Sequence, residues 1–203
     1  MSDVTAMSDH PADTSTPQGR GLKHALIRRW PTLLAILVSI PGFTDEPTRG
    51  LVDSFAVAML LLPLWYVVIG ATGRRNLTWW VLGGAIALFV GLRFQDAVDP
   101  SVVLLSISLA AVVWGTIRGR LVEPAFLLQI AGLAVFAALS ATALNAADFD
   151  TALYAVAAGW FAHGIWDIAH HRANAGVART GAEWCAVVDV LIAVQLVLMS
   201  LLL

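Results

Sequence analysis

Residues 160–189 read WFAHGIWDIAHHRANAGVARTGAEWCAVVD. Two apolar runs flank a short polar turn centred near Val177, so the stretch predicts a helical hairpin. It holds three of the chain's five histidines, His163, His170 and His171. Of its three acids, Asp167 and Asp189 lie in otherwise apolar surroundings, and Glu183 lies nearer the turn. Extended to 151–171 and 182–203, each arm has about the 20 residues that cross a bilayer. The hairpin therefore reads as the last part of an all-α, polytopic transmembrane helix bundle.

The whole chain agrees. Its 203 residues are 59% hydrophobic and 13% charged, with a mean hydropathy of +0.79. A soluble domain carries about 25% charged residues. The length suits one domain, here a bundle in lipid. A net charge of −2 argues against a nucleic-acid partner. The only cysteine, Cys185, excludes an intrachain disulfide and a cysteine-based zinc site. It reads as a small buried packing residue.

Residues 1–20, MSDVTAMSDHPADTSTPQGR, lack an apolar run and predict a disordered tail, with His10 in it. They do not have the shape of a signal peptide. Residues 21–203 form a single transmembrane helical domain. Seven apolar segments are placed at 30–44, 51–72, 77–94, 101–117, 122–144, 151–171 and 182–203. Six have the length of a span. The first is short and contains Pro31 and Pro41; a re-entrant or interfacial helix is its alternative. Glu46-Pro47, Asp99-Pro100 and Glu123-Pro124 put proline where a first helical turn tolerates it. Asp150-Thr151 offers caps for the sixth segment, and Thr180-Gly-Ala-Glu183 fits a capping box before the seventh.

Charge predicts orientation. With the N-terminus inside, the inner segments hold Arg20, Lys23, Arg28, Arg29, Arg74, Arg75, Arg118, Arg120, Arg172 and Arg179. The outer loops hold Arg49 and Arg93, which accounts for all 12 Lys and Arg. Lys and Arg stay cytoplasmic, so the N-terminus is cytoplasmic and the chain is a multi-pass protein of the inner membrane. Trp30, Trp79, Trp80, Trp114 and Trp184 sit near segment ends, as interfacial belts expect. Gly83, Gly84, Gly91, Gly132, Gly159 and Gly164 read as close helix packing.

An ionisable side chain at bilayer depth costs about 2.5–3.5 kcal/mol on insertion scales, which makes it a functional candidate. Asp53 and Glu123 lie at helix N-termini, where a negative charge meets the positive dipole end. Gln129 is deeper and reads as interhelical glue. His163, Asp167 and His170 differ. Their spacings of four and three put them within an arc of roughly 60° on one helix face. His171 lies to one side, at the interface. His163 is 14 residues before Val177 and Asp189 is 12 after it, so they lie at similar depth in the hairpin.

Two histidines and two carboxylates are a competent ligand set for a divalent transition metal, Zn, Fe or Mn. In that reading His163, Asp167 and His170 hold the ion. Asp189 is then a fourth ligand or the catalytic general base. Asp167 can equally orient an imidazole. A proton relay uses the same groups, and so does a closed Asp–His cluster that pins the helices. Haem is not expected, because only the sixth segment has histidines at depth. Retinal is not expected, because Lys23 is the only lysine.

The pattern His163-Gly-Ile-Trp166-Asp167-Ile-Ala-His170-His171, followed by Trp184-Cys185 and Asp189, resembles a group of small uncharacterised prokaryotic integral membrane proteins. The resemblance covers about the last fifth of the chain and implies that the hairpin is one unit. It implies no activity. Seven-helix hydrolases of the ceramidase and adiponectin-receptor type also use membrane His and Asp for zinc. They place a His-x-x-x-His pair in the last helix, which this chain lacks.

The leading expectation is a metal-dependent membrane enzyme acting on a lipid or other apolar small molecule. A small proton- or ion-coupled transporter and a structural membrane subunit are the alternatives.

Overall fold

The computed structural model describes residues 26–44 and 48–202. The tail 1–20 with His10, Lys23 and the Glu46-Pro47 pair lie outside the described residues. The regular elements are α1 (Trp30–Ser39), α2 (Arg49–Ala58), α3 (Leu61–Thr72), α4 (Thr78–Leu92), α5 (Pro100–Ile117), α6 (Pro124–Asn145), α7 (Phe149–Ala173) and α8 (Arg179–Leu202), with short 3-10 turns between some of them. The described chain is all-helical, as expected.

Among the described residues, five stretches are long and apolar enough to cross a membrane: Arg49–Thr72, Arg75–Leu92, Pro100–Ile117, Pro124–Asn145 and Arg179–Leu201. The first apolar helix, Trp30–Phe43, is shorter. α7 has the length, at 25 residues. It carries His163, Asp167, His170, His171 and Arg172, and is not among the five.

The segment 51–72, expected as one helix, is two. Pro63 has no N–H and crowds the carbonyl of Met59, four residues earlier. The backbone tightens there: Leu60 N–H bonds Val57 O at 3.0 Å and Leu62 N–H bonds Met59 O at 3.3 Å. This takes Leu60 N–H away from the carbonyl of Ala56. Ser140 Oγ donates to that carbonyl instead, at 2.7 Å in a buried position. Trp160 Nε1 donates to the neighbouring Phe55 carbonyl at 3.1 Å. The break is thus tied to α6 through the freed Ala56 oxygen, and to α7 through the Phe55 oxygen, which also keeps its bond from Met59 N–H at 3.0 Å.

α3 is the central helix, with Trp65, Tyr66 and Val67 fully buried. α7 and α8 form the most extensive helix pair, α1 lies along α8, and α6 backs α7. α4 and α5 are peripheral, and only 17% of each is buried within the protein. Their apolar side chains, among them Trp80, Leu109 and Val113, point outward as lipid-facing surface does. Gly83, Gly84 and Gly91 on α4 meet nothing, so the packing role expected of them is not used. A Cβ on Gly132 would press on Trp166, and one on Gly159 would press on Met59.

The arginines collect at one end of the bundle. Arg75 donates twice to Val177 O, at 3.0 and 2.6 Å, and to Asn174 Oδ1 at 2.8 Å, which ties the α7–α8 turn to the start of α4. Arg29 pairs with Glu183 at 3.1 Å and Arg120 with Glu123 at 2.7 Å. Trp79 meets Trp30 at a tilt and Trp184 edge to face there, with centroids 5.1 and 6.0 Å apart. Arg49, at the other end, has a different use. Its guanidinium donates to Ala146 O at 2.9 Å and to Ala143 O and Leu144 O at 3.4 Å, which caps the C-terminus of α6. Its Nε holds Asp53 at 2.8 Å.

Caps follow the sequence in part. Asp99 caps α5, accepting from Ser101 N–H at 2.7 Å. Asp148, not Asp150, caps α7, accepting from Thr151 N–H at 2.7 Å. The Thr180–Glu183 capping box does not form, because α8 already begins at Arg179. Thr180 Oγ1 accepts from Trp79 Nε1 at 3.1 Å, and Glu183 accepts from Thr32 at 2.7 Å. Glu123 precedes α6 but gives no side-chain cap, since its carboxylate faces Arg120.

The Ser101 hydroxyl, then its N–H, hold the Asp99 carboxyl below its ordinary value of 3.8. The cap is therefore fully present above that value and is lost as pH falls through the depressed one. Asp99→Ala is expected to cost about 1 kcal/mol at neutral pH. The gap from the native protein should close in acid, as followed by unfolding in detergent across pH.

Candidate functional site

α7 and α8 run antiparallel around the Ala173–Arg179 turn, where Asn174 ends α7 in the left-handed conformation. Their close approach is set at Gly164. A Cβ there would meet Val190 Cγ2 at 3.0 Å, Ala186 O at 3.4 Å and Asp189 Cβ at 3.4 Å. Without that side chain, α8 brings Asp189 against His163.

His163 Nδ1 is 2.7 Å from Asp189 Oδ2 and 3.2 Å from Asp167 Oδ2. Asp167 lies one turn along α7 from His163, so both carboxylates converge on one ring nitrogen. Tyr66 Oη, from α3, donates to the other oxygen of Asp167, Oδ1, at 2.5 Å. The four side chains are buried, at 0% exposure for His163 and Asp167 and 1% for Asp189 and Tyr66. Phe136 and Tyr66 wall the imidazole edge to face, with centroids 4.9 and 5.8 Å away.

Among the described residues, three polar atoms of this cluster have no hydrogen-bond partner: His163 Nε2, Asp167 Oδ2 and Asp189 Oδ1. Buried polar atoms are nearly always satisfied, and each exception costs about 1–3 kcal/mol. His163, Asp167 and Asp189 each offer one ligand atom, all within 4.8 Å of one another. This set fits a small divalent cation. With the imidazole neutral, as a ligand must be, the two carboxylates would leave two negative charges for a dication to neutralise.

His170 does not join them. Its Nε2 accepts from Gln129 Nε2 at 3.1 Å, and its Nδ1–H donates to Trp166 O at 2.9 Å. One neutral tautomer satisfies both bonds. His170 shares a helix face with His163 but lies seven residues on, about 10 Å along the axis. Both its ring nitrogens are engaged elsewhere, and it is not in the group whose ligand atoms lie within 4.8 Å of one another. Of the residues expected at the site, the structure brings His163, Asp167 and Asp189 together and leaves His170 outside that group. Gln129 is interhelical glue, as expected. His171 is half-buried near the end of α7, its Nδ1 3.1 Å from Arg179 O.

Tyr66 was not legible as a site residue. It sits in the apolar run LLPLWYVVIG, one of two tyrosines in the chain, and nothing local sets it apart. The signal was the hydroxyl itself, at depth in a helix with no other polar group nearby.

Asp189 also lines a small apolar cavity of about 70 Å³ with Cys185, Trp65, Trp160 and Trp184. Cys185 is 2% exposed, as expected of a packing residue. On the other side, Tyr66 and Gln129 line a polar cavity of about 240 Å³ at the arginine-rich end, with Arg75, Arg120 and Glu123. The cluster thus lies between a polar cavity and an apolar one. Comparison with protein-family models, with curated proteins and with solved structures gives no match.

Proposed function

We propose that the chain is a multi-pass protein of the cytoplasmic membrane, with its N-terminus in the cytoplasm, that holds one divalent transition metal and acts on a lipid or other apolar substrate. The observation that carries this is the convergence of His163, Asp167 and Asp189 in a fully buried position. The collection of arginines at one end supports the orientation. The first segment supports a seventh crossing. It runs parallel to α8, from Thr32 beside Glu183 to the Gly42 carbonyl, which accepts from Gln195. The chain then reaches the opposite end at Arg49.

A bound divalent ion would supply Lewis-acid activation. The residues have distinct tasks. His163 would hold the ion as a neutral imidazole, which would make occupancy pH-dependent. Tyr66 holds Asp167 through the oxygen that does not face His163, which fixes the carboxylate's orientation. Asp189 turns one oxygen to His163 and keeps the other unpartnered, while it lines the apolar cavity. That oxygen is the group that can take a proton from a nucleophile on the substrate side.

The metal reading is tested by thermal unfolding of purified protein with zinc, manganese or ferrous iron, against chelator. At a hundredfold excess over Kd, a bound ion stabilises by about 2.7 kcal/mol. An unchanged transition with all three ions contradicts it. Tyr66→Phe is expected to weaken the affinity about tenfold, without abolishing it, because it frees only the orienting contact. Metal titration of the variant checks this.

A second reading, a closed hydrogen-bonded cluster that pins α7 to α8, is favoured by the zero exposure of His163 and Asp167. It predicts no response to any ion. A carrier has less support, because the one carbonyl freed at the α2–α3 break, that of Ala56, is taken by Ser140.

A further inference from the structure

The face of the α7–α8 hairpin away from the cluster carries a separate cavity of about 400 Å³, closed on its third side by α1. Its lining changes character with depth. Glu183, Val187, Val190 and Leu191 of α8 line it, and their spacing puts them on one helix face. From Glu183 to Leu191 is about 12 Å along the axis. The shallow end is polar, with Arg29, Arg172 and Glu183; the deep end is apolar, with Ile168 of α7 beside Val190 and Leu191.

The charges at the shallow end do not cancel. Glu183 is the one carboxylate in the lining, and it is taken by Arg29 at 3.1 Å and Thr32 at 2.7 Å. Arg172 is exposed and makes no ion pair among the described residues. Two guanidinium groups against one carboxylate leave an excess positive charge over an apolar floor. Gly164, packed on Val190 and Ala186, closes the wall between this cavity and the His163 cluster.

We propose that this cavity binds one anionic phospholipid of the leaflet facing the arginine-rich end, its phosphate between Arg29 and Arg172 and an acyl chain along Val187, Val190 and Leu191. Basic pockets between transmembrane helices select anionic headgroups in this way. A free anion would satisfy the guanidinium groups but leave the apolar floor unused. The site requires that the chain spans a membrane and does not depend on metal binding.

The test is native mass spectrometry of the full chain in detergent, titrated with phosphatidylglycerol or phosphatidylcholine of equal chain length. Phosphatidylglycerol is expected to bind at least about fivefold more tightly, and Arg172→Gln to remove about fivefold of its affinity. Arg118→Gln, on an arginine at the same end that lies over Trp114 and outside the cavity, is expected to change nothing. Equal binding of the two lipids overturns the proposal. So does an equal loss in Arg118→Gln, which would mean general surface charge. Displacement by millimolar glycerol phosphate also overturns it, because that would show an anion site without a lipid.

Discussion

His163→Ala is expected to destabilise the folded protein by about 3–5 kcal/mol, the cost of leaving a buried charge without its partner. Among the described residues, His163 is the only cationic or donor group that both Asp167 and Asp189 meet within 3.2 Å. Removing it leaves two carboxylates facing each other in a site with no exposure to water. Tyr66 then relieves only one of the four oxygens. The loss is read from unfolding of purified protein in detergent. Adding Asp167→Asn and Asp189→Asn to the variant should recover most of it, because the penalty is charge burial and not lost packing. A triple variant as unstable as the single one would show that the imidazole matters for its volume.

Gly164→Leu is expected to cost about 1–3 kcal/mol, or more if α7 and α8 cannot part. The first new carbon already meets Val190 at 3.0 Å, and two of its three nearest atoms belong to Ala186 and Asp189 on the facing helix. Relief must come from α8 moving away, which carries Asp189 off His163. The same substitution therefore lowers metal binding, although residue 164 offers no ligand. Gly83→Leu is the control, because nothing lies within 4 Å of that position. Thermal unfolding and metal titration of both variants check the pair. Equal effects at the two positions would contradict the role given to the helix contact.

The sequence shows how far periodicity reaches. Four-residue spacing on one helix placed His163 and Asp167 together, and counting outward from the turn placed Asp189 at their level. Both depend on one hairpin, whose geometry is local. His170 shows where the argument stops: an arc on a helical wheel fixes direction around the axis but says nothing of height along it. Tyr66 comes from α3, about 100 residues earlier in the chain, and no local pattern announces a partner that far away. The capping box at Thr180 failed for a related reason, since Trp79, Thr32 and Arg29 claim its side chains from other helices. The break in 51–72 was legible in principle, because Pro63 stands inside the run. That the freed Ala56 carbonyl would be met by Ser140 was not.

The central claim is that three buried side chains on α7 and α8 hold a metal ion. Its most direct test is elemental analysis of the purified full-length protein, after incubation with zinc, manganese or ferrous iron and removal of excess ion. About one equivalent per chain is expected, falling to background in Asp189→Ala, because a structured protein site takes its ion stoichiometrically. Less than about a tenth of an equivalent of every metal, in protein that is folded by its unfolding transition, would contradict the account.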